Sequence, residues 1–168
     1  MYGSIVLMSV QKDSYVWLWV ALTVIAVAAG IIYVIHEMAQ PKVTVRLGDG
    51  VFTARVAMTD KARTKGLSGA KQLPEDKAML FVFEEDDKHG VWMKDMNIPV
   101  DVVWLDQKRR VIHTMSGVSP KSYPEVYRPD RPARYVIEFA SGTVKDKAIR
   151  NDMTAYFDEE RLKEGNVW

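Results

Sequence analysis

Apolar positions in this chain follow two different spacings. From Val16 to Ile35 they are continuous: VWLWVALTVIAVAAGIIYVI carries no charge, and Thr23 and Gly30 are its only interruptions. A helix of that length spans roughly 30 Å, the hydrocarbon thickness of a bilayer. Tyr15, Trp17 and Trp19 cluster at one end and Tyr33 sits at the other, where aromatic rings favour the headgroup level. A buried core helix in so small a domain would show a polar face, and this segment has none. A cleaved signal peptide is the stronger rival, but its apolar region is usually shorter, and here the run continues past Ala26 and Ala28 to Ile35. The pattern therefore predicts an uncleaved transmembrane anchor.

Beyond Pro41, which breaks any helix leaving the span, the period changes to two. Residues 42–47 (KVTVRL) alternate as a half-buried strand does, Gly48-Asp49-Gly50 is a turn, and Val51 to Met58 is a second strand, so the first unit reads as a hairpin. Thr59 can cap a short helix through Lys65, with Gly66 as its left-handed stop. Strands are predicted at 78–83 (AMLFVF), 89–94, 100–105, 110–115 and 134–139. Ser141 is expected to cap a helix to Ile149, and Met153 to Phe157 to close the domain. Seven or eight short strands with two short helices predict an α+β domain, predominantly antiparallel β, as a sandwich or partly closed barrel. No long helical spacing separates the strands, which argues against a parallel βαβ sheet. Gly117 to Pro132 (GVSPKSYPEVYRPDRP) is a proline-rich connection of a length that often covers a site.

The expected organisation is a cytoplasmic tail (1–15), a transmembrane anchor (16–35), a linker (36–41), a β-rich soluble domain (42–157) and a charged tail (158–168). Lys and Arg flanking the span give no decisive bias. A short tail followed by one span and a folded domain is the layout of a signal anchor, so the N-terminus is expected in the cytoplasm and the soluble domain outside it.

Charge and composition remove several functions. The balance of 23 Lys+Arg against 22 Asp+Glu lacks the basic excess of a dedicated nucleic-acid binder. The absence of cysteine removes thiol catalysis, disulfide scaffolds and Cys-ligated zinc. His36, His89 and His113 are dispersed without metal-ligand spacing. No nucleotide-binding loop or nucleophile elbow occurs, and no metal or cofactor is expected.

Residues 66–106 carry a set of spaced elements: Gly66-Leu67, Leu73-Pro74, Met79-Leu80-Phe81, Phe83, Trp92-Met93-Lys94, and Ile98-Pro99 followed by Asp101. Arg63 precedes them, and Ala133 to Glu138 with Ser141-Gly142 follow. In this order the elements resemble the domain-of-unknown-function family 192, over about residues 43–157. The chain departs from the family pattern at Ala78, at Asp95-Met96 and at Asn151-Asp152. The resemblance implies an exported or membrane-tethered, compact β-rich domain, and implies no established activity.

The residues themselves nominate a site. Asp101 lies in a strand apolar on both faces, and a buried carboxylate needs a partner. If 89–95 and 100–105 form a hairpin with a four-residue loop, Lys94 stands opposite Asp101; a five-residue loop separates them. Arg63, beside the Gly66 turn, could hold a carboxylate or phosphate, or be a solvated helix residue like Lys61 and Lys65. Alternation places Glu138 on the strand face away from Ile137 and Phe139, either exposed or as a second inward carboxylate. Trp92, Met93 and Trp104 read first as core. The ligand-binding candidates are accordingly Arg63, Trp92, Lys94, Asp101 and Glu138. They point to a binding module for a small polar or envelope-derived ligand, ahead of an accessory subunit of a membrane complex or an envelope hydrolase using Asp101. The expected partners are the lipid bilayer, through Val16 to Ile35, and such a ligand or an envelope protein.

Overall fold

The computed structural model describes residues 10–38, 41–158 and 162. The chain divides into two compact units, Met1–Gln40 and Pro41–Trp168.

In the first unit, α1 (Val10–Met38) is a helix of 29 residues, roughly 44 Å long at the standard rise. Its segment Tyr15–Ile32 has a mean hydropathy of 2.3 and is exposed throughout. By length and composition it can cross a membrane. An anchor and a signal peptide share that property.

The second unit is built on an open, mixed six-stranded sheet in the order β1-β2-β3-β8-β5-β6. Its strands are β1 (Lys42–Leu47), β2 (Gly50–Ala57), β3 (Lys77–Asp87), β5 (Val100–Leu105), β6 (Val111–Val118) and β8 (Ala133–Ala140). A two-stranded ribbon pairs β4 (Val91–Trp92) with β7 (Val126–Tyr127). The α+β, mostly antiparallel expectation holds, and the sheet does not close into a barrel. The first hairpin forms as the alternation predicts, with Val45 opposite Phe52.

Two connections differ from expectation. β2 and β3 pair in parallel, with Ala54 opposite Ala78. The crossover between them is short because it needs only α2 (Asp60–Lys65) and the turn and loop that follow. The second difference concerns residues 89–94. Val91 and Trp92 pair with Tyr127 and Val126 instead of with β5. Both edges of β5 are already taken, by β8 and by β6. The supposed loop between 89–94 and β5 is a turn in which Met93 is buried and Asp95 has φ +56°. The chain after Phe139 also differs: α3 (Thr143–Asp146) is a single turn capped by Gly142, and residues 153–157 contribute isolated bridges at Thr154 and Tyr156 in place of a strand.

Alternation divides the core between the two faces of the sheet. On one face, Val45, Phe52, Leu80, Val103, Leu105, Ile137 and Phe139 pack with Ile149, Ala155, Phe157 and Leu162. On the other, Met79, Phe81, Val102, Trp104 and Val136 pack with Leu67, Val91 and Met93. The second face is covered by α2 and its turn, by 88–96, and by the ribbon. That cover leaves the cavity described next.

Candidate functional site

Thr59 caps α2 as its position predicts, its hydroxyl accepting the N–H of Ala62 at 3.2 Å. The helix stops at Gly66, whose φ +43° and ψ −125° form a combination open only to glycine. A Cβ there would also stand 3.2 Å from Cζ of Phe81. The chain can therefore turn from helix to sheet face within one residue and leave Leu67 pointing into the core. Arg63 fixes the helix to the sheet: its guanidinium donates to the carbonyl of Met58, to the carbonyl of Val82 at 2.8 Å and to Asp60 Oδ1 at 2.6 Å. It also lies 5.1 Å from the ring centroid of Phe83.

Across from this turn runs the segment 88–96. His89 stacks on Phe83 with centroids 3.5 Å apart, and its carbonyl accepts the indole N–H of Trp104 at 2.9 Å. Arg128 donates to the carbonyl of Lys88 at 2.7 Å. The proline-rich connection thus works from behind: Val126 pairs with Trp92 and Arg128 holds Lys88, while none of residues 117–132 lines the cavity. The two walls are tied together where Ser68 Oγ donates to the carbonyl of Lys94 at 3.0 Å and the N–H of Gly69 to the carbonyl of Asp95 at 2.8 Å.

Between the walls is a cavity of about 180 Å³. Its floor is the sheet face, Phe81 and Phe83 of β3 with Val136 and Glu138 of β8. One wall runs from Arg63 to Ser68, and the other comprises Gly90, Val91, Trp92, Lys94 and Met96. Glu138 sits on the central strand, opposite Met79 on one side and Val102 on the other. It is only 6% exposed. Its Oε2 is, among the described residues, the buried side-chain oxygen or nitrogen left without a hydrogen-bond partner. Desolvation by the surrounding apolar face pushes its pKa from 4.5 up to about 8. At neutral pH the group is a carboxylic acid, able to donate through O–H and accept through C=O.

Four of the five sequence candidates, Arg63, Trp92, Lys94 and Glu138, line this one cavity. Asp101 does not. It is fully buried on the opposite face of the sheet with Val103 and Leu105. Its Oδ1 accepts the N–H of Gly117 and its Oδ2 the N–H of Val144, both at 2.8 Å. Gly117 is the extra residue of a bulge in β6, at φ +64°, and Val144 lies in the turn of α3. The Lys94–Asp101 pair of the four-residue-loop register is not formed, because β4 is not the neighbour of β5. Sequence reasoning missed Phe81, Phe83, Met96 and the exposed Lys65 as lining residues. The alternation of Met79, Phe81 and Phe83 was the signal for two of them.

No curated protein matches this chain. Solved structures share its fold, among them the following two. One is a Sinorhizobium meliloti 1021 protein described provisionally as a transcription regulator, 25% identical, with a TM-score of 0.67 over 70% of this chain and 95% of its own. The other, from Novosphingobium aromaticivorans DSM 12444, is a protein of unknown function, 24% identical, with a TM-score of 0.64 over 68% of this chain and 83% of its own. The family described as "Uncharacterized ACR", domain of unknown function 192, matches residues 43–157, more than half of the chain, and the protein belongs to that family.

Proposed function

We propose that this protein is a membrane-anchored binding module whose domain outside the cytoplasm captures a small polar ligand in the Glu138 cavity. The observation that carries this is Glu138 itself. A buried carboxyl with an unpartnered oxygen costs about 1–3 kcal/mol of folding free energy. A ligand group completing its hydrogen bonding recovers that cost. The walls support the same conclusion: Trp92, 46% exposed at the mouth, offers an aromatic surface, and Lys94 and Lys65 offer flexible cationic donors. In this proposal Trp92, Lys94 and Glu138 contact the ligand, and Arg63 holds the wall in place through its three partners. The exposed apolar helix α1 supports the anchor, with the bilayer as its partner. The hydrolase alternative has less support, because Asp101 lies on the other sheet face with both oxygens engaged.

The test is ligand-observed NMR on the full chain in detergent micelles with a set of small polar compounds. Compounds that receive saturation from the wild type and not from Trp92→Ala are the expected result. A set that receives none from either protein, or equally from both, contradicts the proposal.

A further inference from the structure

Charge inside the same cavity narrows what it can hold. The basic residues that share the cavity lining with Glu138 are Arg63 and Lys65 from α2 and Lys94 from the turn after β4, the Arg63 guanidinium being engaged with Asp60 and two carbonyls; β3 and β5 present Met79, Phe81, Phe83 and Val102. Among the described lining residues Glu138 is the only acid. Lys65 and Lys94, exposed and lining the same cavity as the desolvated carboxyl, give it a positive potential that draws anions inward. The rest of the lining, Leu67, Phe81, Phe83, Val91 and Val136, is apolar and suits a hydrocarbon body.

We infer that the cavity takes a small organic monocarboxylate, its head group accepting a hydrogen bond from the Glu138 carboxyl and its apolar body against Phe81, Phe83 and Val136. This rests on the binding-module proposal above and specifies its ligand class. The chemistry discriminates against the alternatives. Glu138 offers one O–H, which suits a singly charged carboxylate in a charge-assisted hydrogen bond; a phosphate, with more charge to desolvate, needs more donors than the floor provides. An amine meets two lysines and a neutral acid. A sugar meets walls with few partners for its hydroxyl groups. The size agrees, since a cavity of about 180 Å³ is below the range of about 300–1,000 Å³ typical for drug-sized ligands.

The probes are sodium butyrate, inorganic phosphate, butylammonium and N-acetylglucosamine, each titrated calorimetrically into the full chain in micelles. Butyrate is expected to bind. Its Kd should rise about tenfold per pH unit above about 8, where Glu138 ionises. Glu138→Gln keeps a neutral donor, so it should bind butyrate without that pH dependence. Glu138→Leu should not bind. Lys94→Gln, at an exposed position, should weaken binding by about three- to tenfold. If another probe binds in a Trp92-dependent manner and butyrate does not, the carboxylate assignment fails while the cavity stands as a site. If no probe binds, the carboxylate assignment also fails, and a fragment set that shows no Trp92-dependent contact removes the binding module with it. Butyrate binding that keeps the same pH dependence in Glu138→Gln overturns the role given to Glu138.

Discussion

Asp101 and Val144 are joined across 43 residues of sequence: the carboxylate Oδ2 accepts the backbone N–H at 2.8 Å. With Oδ1 taken by Gly117 at 2.8 Å, one side chain holds both the β6 bulge and the turn of α3 against the strand between them. Charge-assisted bonds of this kind contribute about 1.5–3 kcal/mol each. Asp101→Ala is therefore expected to lower the unfolding free energy of the domain by about 3 kcal/mol or more in urea denaturation. Ligand contacts at the cavity should be unchanged in the folded variant. A loss below about 0.5 kcal/mol would contradict the clamp.

Glu138 gives the domain a pH dependence of known sign. Its pKa is 4.5 in the unfolded chain and about 8 in the folded one. Below the lower value both states are protonated and the burial carries no ionisation cost. Between the two, the folded state holds a proton that the unfolded state releases, so stability falls as pH rises, by roughly 1.4 kcal/mol per unit. The loss is complete above the folded value. Glu138→Gln should remove this slope and exceed the wild type in stability at about pH 8.5. Parallel wild-type and variant profiles in denaturant titrations would contradict it.

Arg63 and Asp60 form an ion pair at 2.6 Å, but Asp60 is 98% exposed. The pair should therefore contribute little. The stabilising bonds are those from Nη1 to the Met58 and Val82 carbonyls, with Nη2 on Asp60, a planar three-partner arrangement that a single ammonium does not reproduce. Asp60→Asn is expected to cost under about 0.5 kcal/mol, and Arg63→Lys about 1–2 kcal/mol. Hydrogen exchange at residues 60–66 should speed up in the second variant and not in the first. Equal effects in both would assign the contact to charge instead.

The absence of cysteine makes single-thiol labelling unambiguous for the membrane arrangement. In intact cells, Lys71→Cys is expected to react with a membrane-impermeant maleimide and Ser4→Cys is not. Both positions should remain on one chain that fractionates with the membrane. The reverse labelling, or a chain shortened at its N-terminus, would contradict the anchored orientation.

Local chemistry made much of the fold legible. The β1–β2 hairpin follows from alternation about a Gly-Asp-Gly turn, and α2 from the Thr59 cap and Gly66 stop. β5 was placed with its bounds, since VDVVWL is apolar on both faces and lies between two neighbours. What failed were questions of who pairs with whom. Nothing in Val91-Trp92 reveals that its partners are Tyr127 and Val126 in the proline-rich loop. Nothing in Thr59 to Lys65 states that six helical residues suffice for a parallel crossover. The site divided along the same line. Glu138 was legible as a charge beside apolar neighbours and Arg63 by its place next to the Gly66 turn, whereas Lys94 was singled out as the partner of Asp101, a pair that does not form, and Trp92 read first as core. Asp101 shares the signature of Glu138, but its partners are backbone amides, which carry no residue-type signal at all.

The carbonyl carbon of the Glu138 side chain reports directly on the central claim, that this buried acid is the floor of a ligand site. Its ¹³C shift can be followed through a pH titration of the full chain, alone and with butyrate. The expected midpoint without butyrate is near about 8, and butyrate should move it upward, because the anion binds the protonated form. A midpoint near the ordinary carboxyl value, or one that no ligand moves, would contradict the account.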